Sequence, residues 1–424
     1  MNSYTCSNEL LNNALKVIPT GSQTFSKSHY SLPKGAAPLF LESGNGAIVK
    51  DVDGNEFIDL INGLLCVSLG YGDQDVDMAI SNQLKNGISF SLPHHLEMDV
   101  ANLLIDLIPC AEMVRFGKNG TDVTSAAIRL SRAYTGREHI AVCGYHGWQD
   151  WYIGTTSRDL GVPESVKNLS HVFKYNDLSS LESLFDKFPE MAAVIMEPMS
   201  SQYPESGFLE GVRGLCDKHG ALLIFDEMIT GFRFSINGAQ SMFNVKPDLA
   251  TFGKGMANGM PLSALVGKKE VMSMMDEIFF SGTFGGETLS LAAAKATITK
   301  MQSNNVIAHM HSIGKYLNNG IQSVIEKLNV NWIRLEGHDV WKIIVINAGD
   351  KTQLYKSLLI QELIEHGVLT IGSHNISYSM TTKDADFVIK AYEYSLISVE
   401  AAKKSKSEFR MLKGEEIKPV FKVR

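Results

Sequence analysis

The chain has 424 residues, 44% of them hydrophobic and 20% charged, with a formal net charge of -7. That length exceeds one typical core and predicts two domains, and the acidic balance argues against nucleic acid or an anionic membrane as partner. The five cysteines (Cys6, Cys66, Cys110, Cys143, Cys216) form no CxxC pair, which reads as reduced thiols. With no basic-then-apolar start and no run of about 18 apolar residues, a cytoplasmic protein is expected.

In chain order, residues 1–60 are expected to join a smaller domain built from both termini. Residues 61–305 read as a large α/β domain. Apolar runs at HIAVC (139–143), MAAVIM (191–196), ALLIF (221–225) and LATF (249–252) are each closed by polar or glycine residues. Helical periods lie between them. One follows Thr121, with Val123, Ala127, Leu130 and Tyr134 on one face and Gly136 as a stop signal; another, LEGVRGLCDKHG, also ends in glycine. Strands alternating with helices predict a mainly parallel sheet covered on both faces. Residues 306–404 change character. Helical runs at QLYKSLLIQELIEHG and DADFVIKAYEYSLISVEAAKK, with strand candidates WKIIVIN and ISYSM, predict a small α+β domain. Residues 405–424 read as a surface tail.

In an open α/β sheet, ligands bind beyond the carboxyl ends of the strands. Tyr145 follows the first apolar run, Glu197 the second, Asp226 the third and Lys254 the fourth, so all four are expected at one cleft. Pyridoxal 5′-phosphate (PLP) explains such a set. A lysine amine condenses with its aldehyde, and a buried aspartate keeps its pyridine nitrogen protonated, so that the ring accepts electrons. Tyr145 is suited to stack on one ring face, with Met228 on the other. The turn GKNGT (117–121) opens a helix and offers free N–H groups to a phosphate; SGTFGG (281–286), with Thr283, is a second candidate. Taken singly, each has a plainer reading. Lys254 is then a solvated loop residue, Asp226–Glu227 a salt bridge or cap, Gly120–Thr121 an ordinary helix start, Tyr145 a strand-end aromatic and Met228 core filler. Order and spacing favour the joint reading. A nucleotide enzyme fits less well, because no G-x-x-x-x-G-K-[ST] occurs and GKGMANG misses G-x-G-x-x-G by one residue. Metal chemistry lacks an HExxH or comparable cluster, since His94 and His95 are adjacent.

The run LLIFDEMITGFRFSINGAQSMFNVKPDLATFGKGMANGMPLSALVG resembles the cofactor segment of class III (ω-type) PLP-dependent aminotransferases, and within them is most similar to glutamate-1-semialdehyde 2,1-aminomutase. The likeness extends to IPTGSQTFSK, PLFLESGNGAIVKDVDGNEFIDL, VRFGKNGTDVTSAAIRLSRAYTGRE with GYHGW, and SGTFGGETLSLAAA, and covers roughly residues 15 to 400. It implies the PLP-dependent transferase fold type I. It also implies Lys254 as the Schiff-base lysine, Asp226 on the pyridine nitrogen, and Tyr145 on the ring with His146 beside it. Asn119, Gly120 and Thr121 would hold the phosphate, and Thr283 would reach the phosphate of a neighbouring subunit in a homodimer with shared sites. Departures fall on the substrate side. Gln202 stands for an asparagine near the cofactor's phenolic oxygen, Lys27 for a carboxylate-binding arginine, Leu64 for a tryptophan and Glu287 for an asparagine. Lys27, Leu64, Glu197 and Glu287 are therefore the candidate substrate residues. The expected activity moves an amino group between a small amine or amino acid and a keto or aldehyde acceptor, a sugar or sugar-acid included, through the pyridoxamine phosphate form. An aminomutase or racemase on the same site is the alternative.

Overall fold

The computed structural model describes residues 3–418; residues 1–2 of the N-terminal segment and 419–424 of the expected tail lie outside the described residues. The described residues divide into two compact units, one of residues 3–65, 69–73 and 308–418 and one of 66–68 and 74–307. Residues 61–65 and 69–73, expected in the large domain, thus belong to the first unit.

In the first unit, strands Leu41–Asn45, Ile48–Asp51 and Glu56–Asp59 pair antiparallel in sequence order, and Val368–Leu369 adds parallel to the third. Residues from both ends of the chain share its apolar core, with Tyr4, Val49 and Phe57 packing on Ile360, Ile364 and Ile417. A second, antiparallel sheet joins Ile333–His338, Trp341–Ile346 and Ser373–Asn375. The strand expected at ISYSM is therefore displaced to the three residues before it. The Met380 N–H closes onto the Ser377 carbonyl, turning residues 376–380 toward the helix Thr382–Ser405. Residues 405–418 are mostly exposed, with two buried points of attachment. Glu408 is buried and accepts from Lys351 Nζ at 2.9 Å, and the buried Ile417 donates its N–H to Ser357 Oγ at 2.9 Å. An apolar side chain that completes a core outweighs the charged sequence around it.

Residues 62–65 of this unit form a left-handed turn with four successive positive φ angles, at Asn62 (48°), Gly63 (60°), Leu64 (63°) and Leu65 (74°). For the two leucines this region is unfavourable by roughly 1–2 kcal/mol each. The turn is held from outside: Asn62 Nδ2 donates to the Asn375 carbonyl, and Asn375 Nδ2 donates to the Ile61 carbonyl at 2.7 Å.

The second unit is a seven-stranded sheet. Its strands are β1 (Met113–Gly117), β2 (His139–Cys143), β3 (Ser170–Val172), β4 (Met191–Met196), β5 (Leu222–Asp226), β6 (Leu249–Phe252) and β7 (Ser263–Gly267), in the order β1-β7-β6-β5-β4-β2-β3. From β6 to β3 all neighbours are parallel, and β7 runs antiparallel to both β6 and β1. The four apolar runs are four of the parallel strands. Helix α1 (Gly120–Thr135) packs Val123, Ala127 and Leu130 against Ile140, Ile195, Ile224 and Leu265 of the sheet, and stops at Gly136 in the left-handed region (φ 67°). Each fully buried aliphatic side chain there contributes roughly 1.5–3 kcal/mol, which holds the strand ends in a rigid plane. Helices α2 (Phe208–His219) and α3 (Thr288–Ser303) belong to the same unit. No described helix is long and apolar enough to cross a membrane.

Candidate active site

The carboxyl ends of β2, β4, β5 and β6 open onto a cavity of about 380 Å³, lined by Tyr145, His146, Trp148, Glu197, Asp226, Met228 and Lys254, with Lys118–Thr121 and Gly259–Leu262 along its edge. Because parallel strands all end on one side of the sheet, residues distant in sequence meet there.

Asp226 closes β5 and is 3% exposed. Its Oδ1 accepts from the Met228 N–H at 3.1 Å and from Thr251 Oγ1 at 3.3 Å, and its Oδ2 lies 2.8 Å from His146 Nδ1. His146 Nε2 faces the Cys143 carbonyl at 3.1 Å. A carbonyl only accepts, so Nε2 carries a hydrogen; two bare acceptors would repel at 2.8 Å, so a further proton lies between Nδ1 and Oδ2. The Thr124 hydroxyl fixes the His146 carbonyl at 2.9 Å.

Lys254 follows β6 in the left-handed region (φ 37°), an unusual conformation for a non-glycine residue and one found where a site imposes it. Ser68 steadies the turn, donating Oγ to the Gly255 carbonyl at 2.7 Å and its N–H to Asn258 Oδ1 at 3.0 Å. Burial pulls the Lys254 ammonium below the usual lysine range, against the opposing charges of Asp226 and Glu197. Glu197 is pushed up to about 7, by burial first and the Asp226 charge second. Its Oε2 accepts the Tyr145 N–H at 3.2 Å. The Tyr145 ring stands edge-on to Tyr152 at 5.6 Å, and Tyr152 donates its hydroxyl to the Gly144 carbonyl at 2.9 Å. Burial, and then the Asp226 charge, raise the Tyr145 phenol above its usual range.

At the other edge, α1 begins at Gly120. Asp122 Oδ2 takes the N–H groups of Lys118 (3.0 Å) and Asn119 (2.8 Å), while Ser263 Oγ donates to the Asn119 carbonyl at 2.8 Å. The N–H groups of the first turn, Gly120 and Thr121 included, have no upstream helical carbonyl and carry the positive end of the helix dipole. Gly147 (φ 106°) lets the 145–148 turn approach; a Cβ there would lie 2.5 Å from Thr121 Oγ1. Met228 fills the floor, its sulfur 2.9 Å from where a Cβ on Gly120 would sit and 2.8 Å from one on Gly253.

The structure thus brings together Asn119, Gly120, Thr121, Tyr145, His146, Glu197, Asp226, Met228 and Lys254. It does not bring Gln202 or Glu287 to the cavity wall. Gln202 is exposed on the loop after β4. Glu287 caps α3, accepting from the Leu289 N–H and Ser290 Oγ at 2.6 Å each, and pairs with Lys118 at 2.9 Å, so its oxygens are already used. Exposed Thr283 lines a neighbouring cavity of about 360 Å³ with Lys118, Arg129 and Gln149. Lys27, exposed on the short turn Phe25–Lys27, and Leu64, in the left-handed turn, belong to the first unit. Sequence reasoning missed Thr251, Trp148 and Lys118, and met Glu227 only in the plainer reading of the Asp226–Glu227 pair as a salt bridge or cap. The fully buried Glu227 accepts from Thr230 Oγ1, the Ala239 N–H (2.7 Å) and the Gln240 N–H (3.0 Å), folding the 230–240 loop back on itself. Only Thr251 had a signal, as the inward neighbour of Asp226 on the next strand.

This donor set fits PLP. A lysine made easier to deprotonate, a charge-fixed aspartate, an aromatic wall and a helix N-terminus match in turn its aldehyde, ring nitrogen, ring face and phosphate. Comparison with known proteins agrees. The aminotransferase class-III family model matches residues 30–390. A 3-aminobutyryl-CoA aminotransferase of Cloacimonas acidaminovorans (strain Evry) is 36% identical over 92% of this chain and 96% of its own length. A glutamate-1-semialdehyde 2,1-aminomutase 2 of Lachnoclostridium phytofermentans is 37% identical over 77% of this chain and 81% of its own. Among solved structures, an omega-transaminase from Sphaerobacter thermophilus superposes with a TM-score of 0.87 at 26% identity, covering 94% of this chain and all of that one. The FumI protein of Sphingopyxis sp. MTA144, solved in its PLP internal aldimine form, gives 0.89 at 26% identity over 96% and 99%. The chain therefore has the fold type I architecture and belongs to the class III family of PLP-dependent aminotransferases.

Proposed function

We propose that this enzyme moves an amino group between a small amine or amino acid and a separate keto or aldehyde acceptor, with Lys254 as the residue that holds the cofactor and shuttles the proton. The carrying observation is that Lys254, Asp226, Glu197 and the first turn of α1 line one cavity. Bound PLP supplies an aldehyde that takes up amines and a ring that withdraws electrons from the carbon next to nitrogen. Lys254 Nζ, more readily neutral than an exposed lysine, takes the proton from that carbon and returns it. Asp226 holds the ring nitrogen in its protonated form, and its own charge is kept in place by His146, Thr251 and the Met228 N–H. Tyr145 and Met228 flank the ring, and Asn119, Gly120 and Thr121 hold the phosphate. Purified protein should take up PLP with a visible yellow absorbance, and Lys254→Ala should abolish both that band and amino transfer. A chain that PLP does not tint sinks the reading.

Transfer between two molecules is preferred over an intramolecular shift because the resemblance sets Lys27 and Leu64 where the aminomutases carry arginine and tryptophan. Replacing arginine by lysine exchanges a bidentate fork for a point charge. The related 3-aminobutyryl-CoA aminotransferase, aligned over nearly the whole chain, supports the same side. Sugar or sugar-acid acceptors lose the support of Glu287 as a substrate residue, because its oxygens cap α3. Stoichiometric consumption of an added keto acid separates transaminase from aminomutase. A homodimer completes the proposal: on the second unit Leu92 and Phe279 are about four-fifths exposed, and Ile88, Phe90, Met98 and Phe284 are also exposed, apolar side chains that a second copy would cover. Light scattering that returns a monomer would remove that part.

A further inference from the structure

We infer that Lys118 is an anion-binding residue of this site, held at the cavity wall by Glu287, so that the pair positions a charge for the cofactor phosphate. The inference rests on the PLP reading of the cavity. Lys118 is the one cationic side chain between Gly117 and Asp122, and it lines the cavity beside Gly120 and Thr121. Its Nζ lies 2.9 Å from Glu287 Oε2, with side-chain exposures of 18% and 11%. Glu287 does not follow the lysine. Its Oε1 takes the Leu289 N–H and its Oε2 the Ser290 hydroxyl, both at 2.6 Å, so the carboxylate is pinned to the first turn of α3 and sets where the ammonium sits.

Two observations make this more than a strengthened helix cap. An ammonium has three donors, of which the bond to Glu287 occupies one, so two remain. The backbone of residues 118–119 is already committed, with the Lys118 and Asn119 N–H groups on Asp122 and the Asn119 carbonyl on Ser263, which leaves the N–H groups of Gly120 and Thr121. A phosphate dianion at the first turn of α1 then meets neutral N–H groups and about half a unit of helix-dipole charge. Lys118 adds a full unit there. Without Glu287, that cation would stand partly desolvated whenever no anion is bound, which is unfavourable. Burial alone would raise the Glu287 carboxyl, but Ser290 and Lys118 together hold it below the usual range, as expected of a carboxylate that stays charged to balance a neighbour.

The test uses the full-length protein stripped of cofactor, titrated with PLP, with pyridoxal lacking the phosphate, and with inorganic phosphate as competitor, all followed by absorbance. Lys118→Met should weaken PLP about tenfold, the loss of one charge-assisted hydrogen bond. It should weaken inorganic phosphate similarly and leave pyridoxal within twofold. Lys118→Arg should recover most of the PLP affinity. Glu287→Gln should weaken PLP by a smaller factor, and adding it to Lys118→Met should bring little further loss, because both act through one ammonium. If Lys118→Met and a better-solvated Lys118→Gln both leave PLP and phosphate within twofold of wild type, the inference is wrong and the pair is only a cap. If wild type fails to bind PLP at all, this inference and the proposed function fall together.

Discussion

His146 Nδ1 and Asp226 Oδ2 stand 2.8 Å apart, and the Cys143 carbonyl behind the imidazole leaves that contact to share a single proton. Asp226 is therefore anchored by a hydrogen-bonded partner that itself lines the cavity. His146→Asn should reduce the rate of the amine half-reaction by roughly 10- to 100-fold, the loss of about 1.5–3 kcal/mol from a hydrogen bond to a charged group. Single-turnover absorbance measures this directly. An unchanged rate would mean that Asp226 keeps its charge and position without the histidine.

Glu197 titrates near 7 in the folded, cofactor-free chain, against about 4.3 in an unfolded one. A raised folded value favours the fold below the unfolded value, and this advantage disappears as pH rises through the folded value. Between pH of about 5 and 8 the melting temperature of the cofactor-free wild type should therefore fall relative to Glu197→Gln, which keeps the shape without the charge. A difference between the two proteins that does not change with pH refutes the assignment.

Glu227 gathers four donors from the 230–240 loop inside the core, the Gln240 side-chain amide included. Glu227→Gln turns an amide NH₂ toward donors and leaves buried N–H groups without an acceptor, at about 2–4 kcal/mol. Urea denaturation of the variant should show a loss of unfolding free energy of that size. A shift below about 0.5 kcal/mol would show that the loop holds itself.

Gly147→Ala places a methyl 2.5 Å from Thr121 Oγ1 on a backbone already at φ 106°. The turn must move off the start of α1. Weaker cofactor retention on dialysis should exceed any fall in melting temperature, and a variant that holds PLP as wild type does contradicts the close fit of turn and helix.

Much of this site is legible in the sequence because parallel strands buried on both faces read as unbroken apolar runs. MAAVIM and ALLIF announce where they end, and the residue just beyond each end must face the cleft. The same logic fails where a side chain's direction depends on loop backbone. Gln202 sits several residues past a strand end, too far for period-2 reasoning, and turns outward. Glu287 shows no sequence feature that distinguishes a cap from a ligand until the two donors after it are seen to fold onto it. Glu227 is the hardest case, since its partners lie 3 to 13 positions downstream and meet it only once the loop has closed. The Ser373–Asn375 strand was hidden for a related reason: three residues carry no periodicity, and pairing with Trp341–Ile346 decides the matter.

The reversed direction of β7 has a mechanical effect on the lysine. A parallel strand in that place would need a crossover of a dozen or more residues travelling away over the sheet. Instead residues 253–262 stay at the rim, and the chain turns straight down beside β1, where Ser263 pairs with Gly117 and ties off Asn119. Lys254, the proposed anchor for one end of the cofactor, and the 117–121 turn, the proposed clamp for the other, are thus joined by a short tether with little slack. Insertions in that tether should loosen both ends at once, whereas insertions beyond the 145–148 turn should be absorbed.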